Sequence, residues 1–321
     1  MTATYLDFEK PIADLAGKVE ELKRVAAQGE HPVSIDEEVS RLEDKAHQLL
    51  AETYAKLTPW QKTMVARHPE RPHFLDYVHA LIQDFTPLAG DRAYADDKAI
   101  LGGIGSFRGR TVMVIGHEKG NDTKSRLRHN FGMAMPDGYR KAVRLMNMAE
   151  HFNMPVITLI DSAGAYPGVS AEERGQGEAI ARGTERCLTL TVPLVSVIIG
   201  EGMSGGAIAI AAGDRVIMLE HAIYSVITPE GCSSILWRSA AKAQDAAAAL
   251  KITAQDLQQL RIIDSIVSEP IGGAHRGRDR AIEDTGDAID LALTELEALS
   301  PEALRKQRWD KYLSMGRVGL A

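Results

Sequence analysis

Cysteine is nearly absent from this chain of 321 residues. Cys187 and Cys232 stand alone, with no metal-ligand spacing around them. A disulfide framework and a structural zinc site in this chain are both excluded on that count. No apolar run is long enough to span a bilayer, and Met1–Lys10 has no apolar core of signal-peptide length. A cytoplasmic protein with no membrane partner is therefore expected. Basic residues are in deficit: the net charge is −7, which argues against nucleic acid as the main partner, since phosphate binding wants a basic face. Aromatics are sparse at 5%, while glycine and alanine are plentiful, a balance that favours close helix–sheet packing over a β-sandwich. Internal repeats and low-complexity tracts are missing too.

What is present begins with two amphipathic helices. Phe8, Ile12, Leu15, Val19, Leu22 and Ala26 alternate steps of four and three, the spacing of a coiled-coil seam. Gly29 and Pro32 break the pattern, Ser34 and Glu37 spell a capping box, and Ile35, Val39, Leu42, Ala46, Leu49 and Thr53 repeat the spacing. The expectation is an antiparallel hairpin that must dock on something, because each helix is too short to stand alone. The main domain is expected to start near residue 85. From there strands alternate with helices: strands over 100–104, 111–116, 156–160, 194–199, 215–219, 222–227 and 263–267, and helices over 139–152, 172–190 and 234–242, with others between. This order predicts βα units around a mainly parallel, buried sheet. The boundaries expected are 1–84 for an N-terminal helical hairpin and assembly region, 85–275 for the main domain, and 276–321 for a C-terminal helical extension.

Four clusters could carry chemistry. The first is Ile198–Ile208, which reads as a buried strand, a turn at Gly200-Glu201-Gly202-Met203-Ser204-Gly205-Gly206, and a buried helix. A helix that starts at such a turn presents unpaired N–H groups and the positive end of its dipole, which suits a developing oxyanion. Residues 202–206 also match G-x-S-x-G, the nucleophile-elbow spelling, and Ser204, Asp264 and His275 follow in hydrolase order. The plain alternative is a tight turn. The second cluster, Asp161-Ser162-Ala163-Gly164-Ala165-Tyr166-Pro167-Gly168, lies at the carboxyl end of a predicted strand, the edge where parallel sheets bind ligands. The third is a basic loop, His117 to Asn130, with Lys119, Lys124, Arg126 and Arg128; it is either a solvated surface or a contact for an anion or a partner. The fourth is Pro229-Glu230-Gly231-Cys232, where Glu230 would sit near a helix N-terminus.

Together these runs closely resemble one family. Pro136-Asp137-Gly138-Tyr139-Arg140-Lys141-Ala142, Gly164–Gly168 with Glu172-Glu173-Arg174-Gly175-Gln176, Gly200-Glu201-Gly202 with Ser204-Gly205-Gly206-Ala207, and Pro229-Glu230-Gly231-Cys232 with Ser234-Ile235-Leu236-Trp237 are similar to the α subunit of the bacterial acetyl-CoA carboxylase carboxyltransferase. The resemblance covers almost the whole chain, including Leu6–Glu9 and Leu88–Asp97. It implies an α/β fold with a crotonase-like core (the ClpP and enoyl-CoA hydratase type) built of ββα units. It implies transfer of a carboxyl group from carboxybiotin, carried on the biotin carboxyl carrier protein, to acetyl-CoA, giving malonyl-CoA for fatty acid synthesis. The partner would be a β subunit bearing the zinc, in an α2β2 assembly that works with biotin carboxylase.

By the same resemblance, the backbone N–H groups of Gly205, Gly206 and Ala207 are the catalytic donors on the biotin side. Gly164, Ala165, Tyr166, Pro167, Gly168, Gly202, Ser204, Pro229, Glu230 and Gly231 would line the substrates. The departing biotin nitrogen can take the acetyl proton, so no side-chain base is required. Three positions, in two places, depart from the family pattern. Ser162-Ala163 stand where Thr-Pro is usual, and Met203 stands where Gly is usual, which raises a question about the turn, since Met resists positive φ. The alternatives are a serine hydrolase using Ser204 and a non-catalytic scaffold for the β subunit.

Overall fold

The computed structural model describes residues 4–27 and 34–317. In chain order its elements are α1 (Lys10–Ala27), α2 (Ser34–Tyr54), α3 (Pro59–Ala66), α4 (Phe74–Leu81), β1 (Gln83–Pro87), β2 (Ile100–Phe107), β3 (Arg110–His117), α5 (Thr123–Arg128), α6 (Pro136–His151), β4 (Val156–Ser162), α7 (Val169–Glu172), α8 (Gln176–Thr189), β5 (Leu194–Met203), α9 (Ser204–Ala211), β6 (Arg215–Leu219), β7 (Ile223–Ser225), α10 (Pro229–Trp237), α11 (Ala243–Ala249), α12 (Ala254–Gln259), β8 (Ser265–Val267), α13 (Arg278–Glu297) and α14 (Pro301–Ser314).

One eight-stranded sheet runs β1-β2-β3-β4-β5-β6-β8, and β7 joins it through β5. The first three strands are antiparallel neighbours and the rest pair in parallel. The parallel strands β4 and β5 are buried along their whole length, as expected where helices cover both faces. Strand β5 is shared. Its first half, Val195–Ile198, pairs with β6, and its last residues, Glu201–Met203, pair with β7. The carboxyl ends of β4 and β5 are held in register there by the Ser162–Gly202 pair.

The main core reaches beyond the expected domain boundaries at both ends. Phe74, Tyr77 and Val78 of α4, placed in the assembly region by the sequence, are buried in the same core as β3–β5, and so are Ile289, Leu293 and Leu296 of α13 and Leu304 of α14. The last helix is fastened by a charge. Arg308 is fully buried, and its guanidinium donates to both Asp214 carboxylate oxygens and to the carbonyls of Cys187, Leu190 and Val192. A buried guanidinium is tolerable only when it is paired and its donors are used.

The α1–α2 hairpin forms as the seam spacing predicts. The break at Gly29 and Pro32 lies outside the described residues, as does the Ser34 side chain. The hairpin is anchored through Glu9. This buried carboxylate accepts from Leu6 N (2.7 Å), the Tyr54 hydroxyl (2.9 Å) and Arg276 (2.8 Å). Nearby, the His68 and His275 rings stack with centroids 3.7 Å apart.

Three local expectations are corrected. The 172–190 helix is two helices, because Gly175 takes φ +79° between them. The 222–227 strand is only Ile223–Ser225, and the helix expected from Ser234 already starts at Pro229, where Thr228 caps it. The turn expected at Gly200–Met203 is strand, and the chain turns only at Ser204.

Candidate active site

Strand β5 runs straight through Gly200 and Gly202. A side chain at Gly200 would strike the Asp161 carboxylate, and one at Gly202 would meet the Tyr224 ring at 2.9 Å. These glycines make room for neighbours rather than turning the chain. Gly202, expected among the substrate-lining residues, is buried in the strand. Met203 is extended, with φ −112°, so its departure from the family pattern costs the turn nothing. The left-handed residue is Ser204, at φ +58°. A non-glycine residue held there is strained by about 1–2 kcal/mol, and the strain tips the chain from strand directly into helix α9. The first-turn N–H groups of Gly205, Gly206 and Ala207 have no partner inside the helix and carry its positive dipole end.

The second predicted cluster meets this turn. A Cβ on Gly206 would lie 2.5 Å from Ala165 N and 2.6 Å from Gly164 C, so only glycine lets the Gly164–Ala165 peptide rest against α9. That peptide is held from behind. The Ser162 hydroxyl accepts from Gly164 N (3.1 Å) and lies 2.7 Å from the Gly132 carbonyl. Tyr166 N donates to Ala134 O (3.0 Å), and Gln176 bridges Ala134 O and Tyr166 O. Ser162, the first departure from the family pattern, thus has a bonding role of its own. Gly168 lies against the Tyr166 ring, closing the loop after Pro167.

On the other side of the turn is a cavity of about 440 Å³, lined by Ser204, Gly205, Ile208, Tyr224, Val226, Leu250, Leu257 and Ile262 among others. Its wall is mostly apolar, with Ser204 and Gly205 at the helix start and Tyr224 and Ser225 on β7 as its polar members. Small-molecule sites have this form and size. Val226 at its edge and Ile235, Leu236 and Trp237 on α10 are exposed apolar residues.

Beneath the turn runs an array of alternating charge. Glu230 on α10 pairs with Arg67, Arg67 with Glu201 on β5, Glu201 with Lys119, Lys119 with Asp161 on β4, and Asp161 with His73. The distances are 2.5, 2.5, 2.7, 2.8 and 3.2 Å in that order. Burial would raise the Asp161 and Glu201 carboxyls, but the adjoining Lys119, with His73 on one side and Arg67 on the other, holds both below the usual carboxylate range. Each of the four clusters is rooted in this array. Lys119, expected in a basic surface loop, faces inward; the rest of that loop forms α5, whose residues are all at least partly exposed. His117 is fully buried beside this array, and burial lowers it to about 4. It is neutral near pH 7 and has no access to solvent.

The hydrolase alternative fails on placement. Asp264 accepts from Val216 N and pairs with Lys311. Val216 lies opposite Ser196, eight strand residues before Ser204, on the order of 25 Å away. His275 stacks on His68 beside the N-terminal segment. Among the described residues no group of three or more His, Cys, Asp or Glu could hold a metal ion, and no helix is long and apolar enough to cross a membrane.

Arg67 and Tyr224 were not singled out from the sequence, and Lys119 was named only as one cation of the basic loop. A signal for Arg67 and for the inward turn of Lys119 existed: Asp161 and Glu201 each end an otherwise apolar buried run, and a buried carboxylate must find a cation.

A family model described as "Acetyl co-enzyme A carboxylase carboxyltransferase-like" matches residues 5–316. The acetyl-coenzyme A carboxylase carboxyl transferase subunit alpha of Parvibaculum lavamentivorans is 65% identical over 318 residues, 99% of each chain. That of Paramagnetospirillum magneticum is 65% identical over 316 residues, 98% of this chain and 99% of the relative. Among solved structures, the transcarboxylase 12S hexamer crystallised with methylmalonyl-coenzyme A superposes with a TM-score of 0.54 at 20% identity, over 66% of this chain and 41% of that one. A Pseudomonas malonate decarboxylase hetero-tetramer in complex with coenzyme A gives 0.54 at 13% identity, over 67% and 87%. These structural likenesses bear on the fold, and the crotonase-like core expected from the sequence is the fold observed.

Proposed function

Because this chain belongs to the acetyl-CoA carboxylase carboxyltransferase α-subunit family, we propose that the Ser204 turn is the biotin half of its carboxyl-transfer site. Gly205, Gly206 and Ala207 would donate their N–H groups to the ureido oxygen as biotin leaves and negative charge develops there. Preorganised backbone donors cost no reorganisation at that moment, which is why such sites carry a large share of catalysis. The cavity beside Gly205 would take the apolar part of the biotin ring system and its tether. Its chemistry fits: a mostly apolar wall carries a few polar groups, Ser204 and Gly205 among them. The observation that carries the reading is that the first turn of α9 lies between the close-packed Gly164–Ala165 peptide on one side and the apolar cavity on the other.

Biotin arrives as substrate on the biotin carboxyl carrier protein, loaded by biotin carboxylase, and acetyl-CoA is the acceptor. Forming malonyl-CoA also requires donors for the thioester oxygen of the acetyl enolate. These we assign to the β subunit, with its own zinc, in an α2β2 assembly in the cytoplasm. The exposed apolar Val226 at the cavity edge and Ile235, Leu236 and Trp237 on α10 support a partner that covers this region. The carboxylates of Asp161 and Glu201 are engaged by Lys119 and Arg67, and His117 is shut away from solvent, which agrees with proton uptake by the departing biotin nitrogen.

Co-expression with the genomic β partner tests the reading. Transfer from carboxybiotin to acetyl-CoA should require both chains. Ester hydrolysis by this chain alone would overturn it, and a pair in which Gly206 variants turn over normally would reduce this chain to a scaffold.

A further inference from the structure

Arg67 lies outside every cluster the chemistry suggested, at the carboxyl end of α3, where its N–H caps the helix on Thr63 O and Val65 O. Its guanidinium forks. Nε reaches Glu201 Oε1 at 2.5 Å, while Nη1 and Nη2 reach the two Glu230 oxygens at 2.5 and 3.3 Å. Glu201 immediately precedes the last strand residues before the Ser204 turn. Glu230 is in the first turn of α10, and Ser225 and Val226, a few residues before it, form part of the cavity wall. The fork therefore ties the strand that ends at the donor turn to the start of α10, the helix that follows the Ser225–Val226 part of the cavity wall. A carboxylate in a first helical turn ordinarily complements its own helix dipole; Glu230 turns instead to Arg67.

We propose that Arg67 is a positioning residue for carboxyl transfer: acting through Glu230, it fixes the start of α10 against the end of β5, and with it the Ser225–Val226 part of the cavity wall relative to the Gly205–Gly206 donors, and so sets the width of the cavity. The inference rests on the reading of that cavity as the biotin side. Lysine cannot replace it, since a single ammonium nitrogen cannot reproduce a planar fork shared between two carboxylates. The Glu201 arm is the buried one, with Glu201 5% exposed, and Glu230 at 37% is the solvent end. Removing Glu230 therefore loosens the start of α10 without leaving the buried Glu201 unpaired.

The test is a double-variant cycle on the α/β holoenzyme. Wild type, Arg67→Met, Glu230→Gln and the double variant are compared for kcat, for KM toward the biotin substrate (free biocytin, then the loaded carrier protein) and for KM toward acetyl-CoA. Glu230→Gln should melt within a few degrees of wild type and raise the biotin-side KM about threefold to tenfold, the size of a partly exposed charge pair. The acetyl-CoA KM should stay in place. The double variant should be no worse than Arg67→Met alone, because both remove one connection. Effects that multiply, or a Glu230→Gln enzyme with wild-type constants, overturn the proposal. Should Arg67→Met fail to fold, Arg67→Lys takes its place: it should reproduce the Glu230→Gln shift, and an unchanged KM overturns the proposal. Non-additive effects that fall on the acetyl-CoA KM instead would uphold the Arg67–Glu230 coupling and overturn the assignment of the cavity to biotin.

Discussion

Replacing Gly206 by alanine should disable transfer, although helix propensity alone points the other way. Alanine inside a helix is favoured over glycine by about 1 kcal/mol, so an unobstructed Gly206→Ala change would stabilise α9. Here the new Cβ would lie 2.5 Å from Ala165 N, 2.6 Å from Gly164 C and 3.0 Å from Gly164 Cα. All three are main-chain atoms, and the peptide is pinned by Ser162, Ala134 and Gln176. Ordinary contact requires the two backbones to separate by about 1 Å, at a cost of about 1–3 kcal/mol. A donor displaced that far no longer meets the oxyanion, and losing one such donor lowers kcat by roughly 10²–10³-fold. Gly205→Ala is the control. Its Cβ would meet only the end of the Ile180 side chain, at 3.1 and 3.6 Å, which can rotate away, so transfer should stay within about tenfold of wild type. The assay is carboxyl transfer by the purified α/β pair, with size-exclusion chromatography and a thermal melt to show that each variant assembles. A Gly206→Ala enzyme that melts like wild type and transfers within about tenfold of it would refute the placing of catalysis at this turn.

Ser204→Gly relieves the positive φ and should raise the melting temperature by an amount corresponding to about 1 kcal/mol. Ser204→Ala should keep transfer within about tenfold; loss of all activity, with an acyl adduct on wild-type Ser204 by mass spectrometry, would restore the nucleophile. Acid should loosen the fold before it reaches the carboxylates. Burial holds His275 down to about 3, with the His68 ring adding to the effect, and His117 to about 4. The unfolded chain therefore takes up protons first, and the stability contributed is complete above the ordinary imidazole value and lost as pH falls toward those figures. At pH 5 each histidine costs about 2 kcal/mol and the pair about 4. Glu269, held at about 2 by Arg71 against its burial, contributes its loss only below the ordinary carboxylate range. A melting temperature that does not fall between pH 7.5 and 5 would contradict this. Glu9→Gln removes the charge that joins Leu6, Tyr54 and Arg276 and should cost about 2–4 kcal/mol, read as protease cleavage confined to the first two helices; uniform resistance would show that the hairpin is held otherwise.

The sequence made the sheet legible where strands are apolar and continuous, as in Val156–Ile160 and Leu194–Ile199. It misled where glycine had two meanings. Gly200 and Gly202 look like a turn because glycine commonly supplies one, yet they lie in β5 because the Asp161 carboxylate and the Tyr224 ring occupy the space a side chain would need. Those neighbours are remote in the chain and leave no local mark. Strand β1 was missed for a similar reason. Its five residues show no alternation, and Asp84 at φ +52° adds an irregularity to the pairing with β2. Of the site, the donor turn, the Gly164–Gly168 wall and the α10 start were legible as motifs. Arg67 was not, since its partners come 134 and 163 residues later and only the folded sheet brings them together.

Arg308 has a consequence for the order in which the molecule can be completed. The carbonyls of Cys187, Leu190 and Val192 and the carboxylate of Asp214 all depend on its guanidinium, and it is separated from them by 94 to 121 residues of chain. A ribosome adding roughly 5–20 residues per second leaves those acceptors without their cation for several seconds after β5 has emerged. Through that interval the end of α8 and the start of β5 must keep water on their polar groups. The sheet of the nascent chain stays open at that corner until the final helix arrives and seals it.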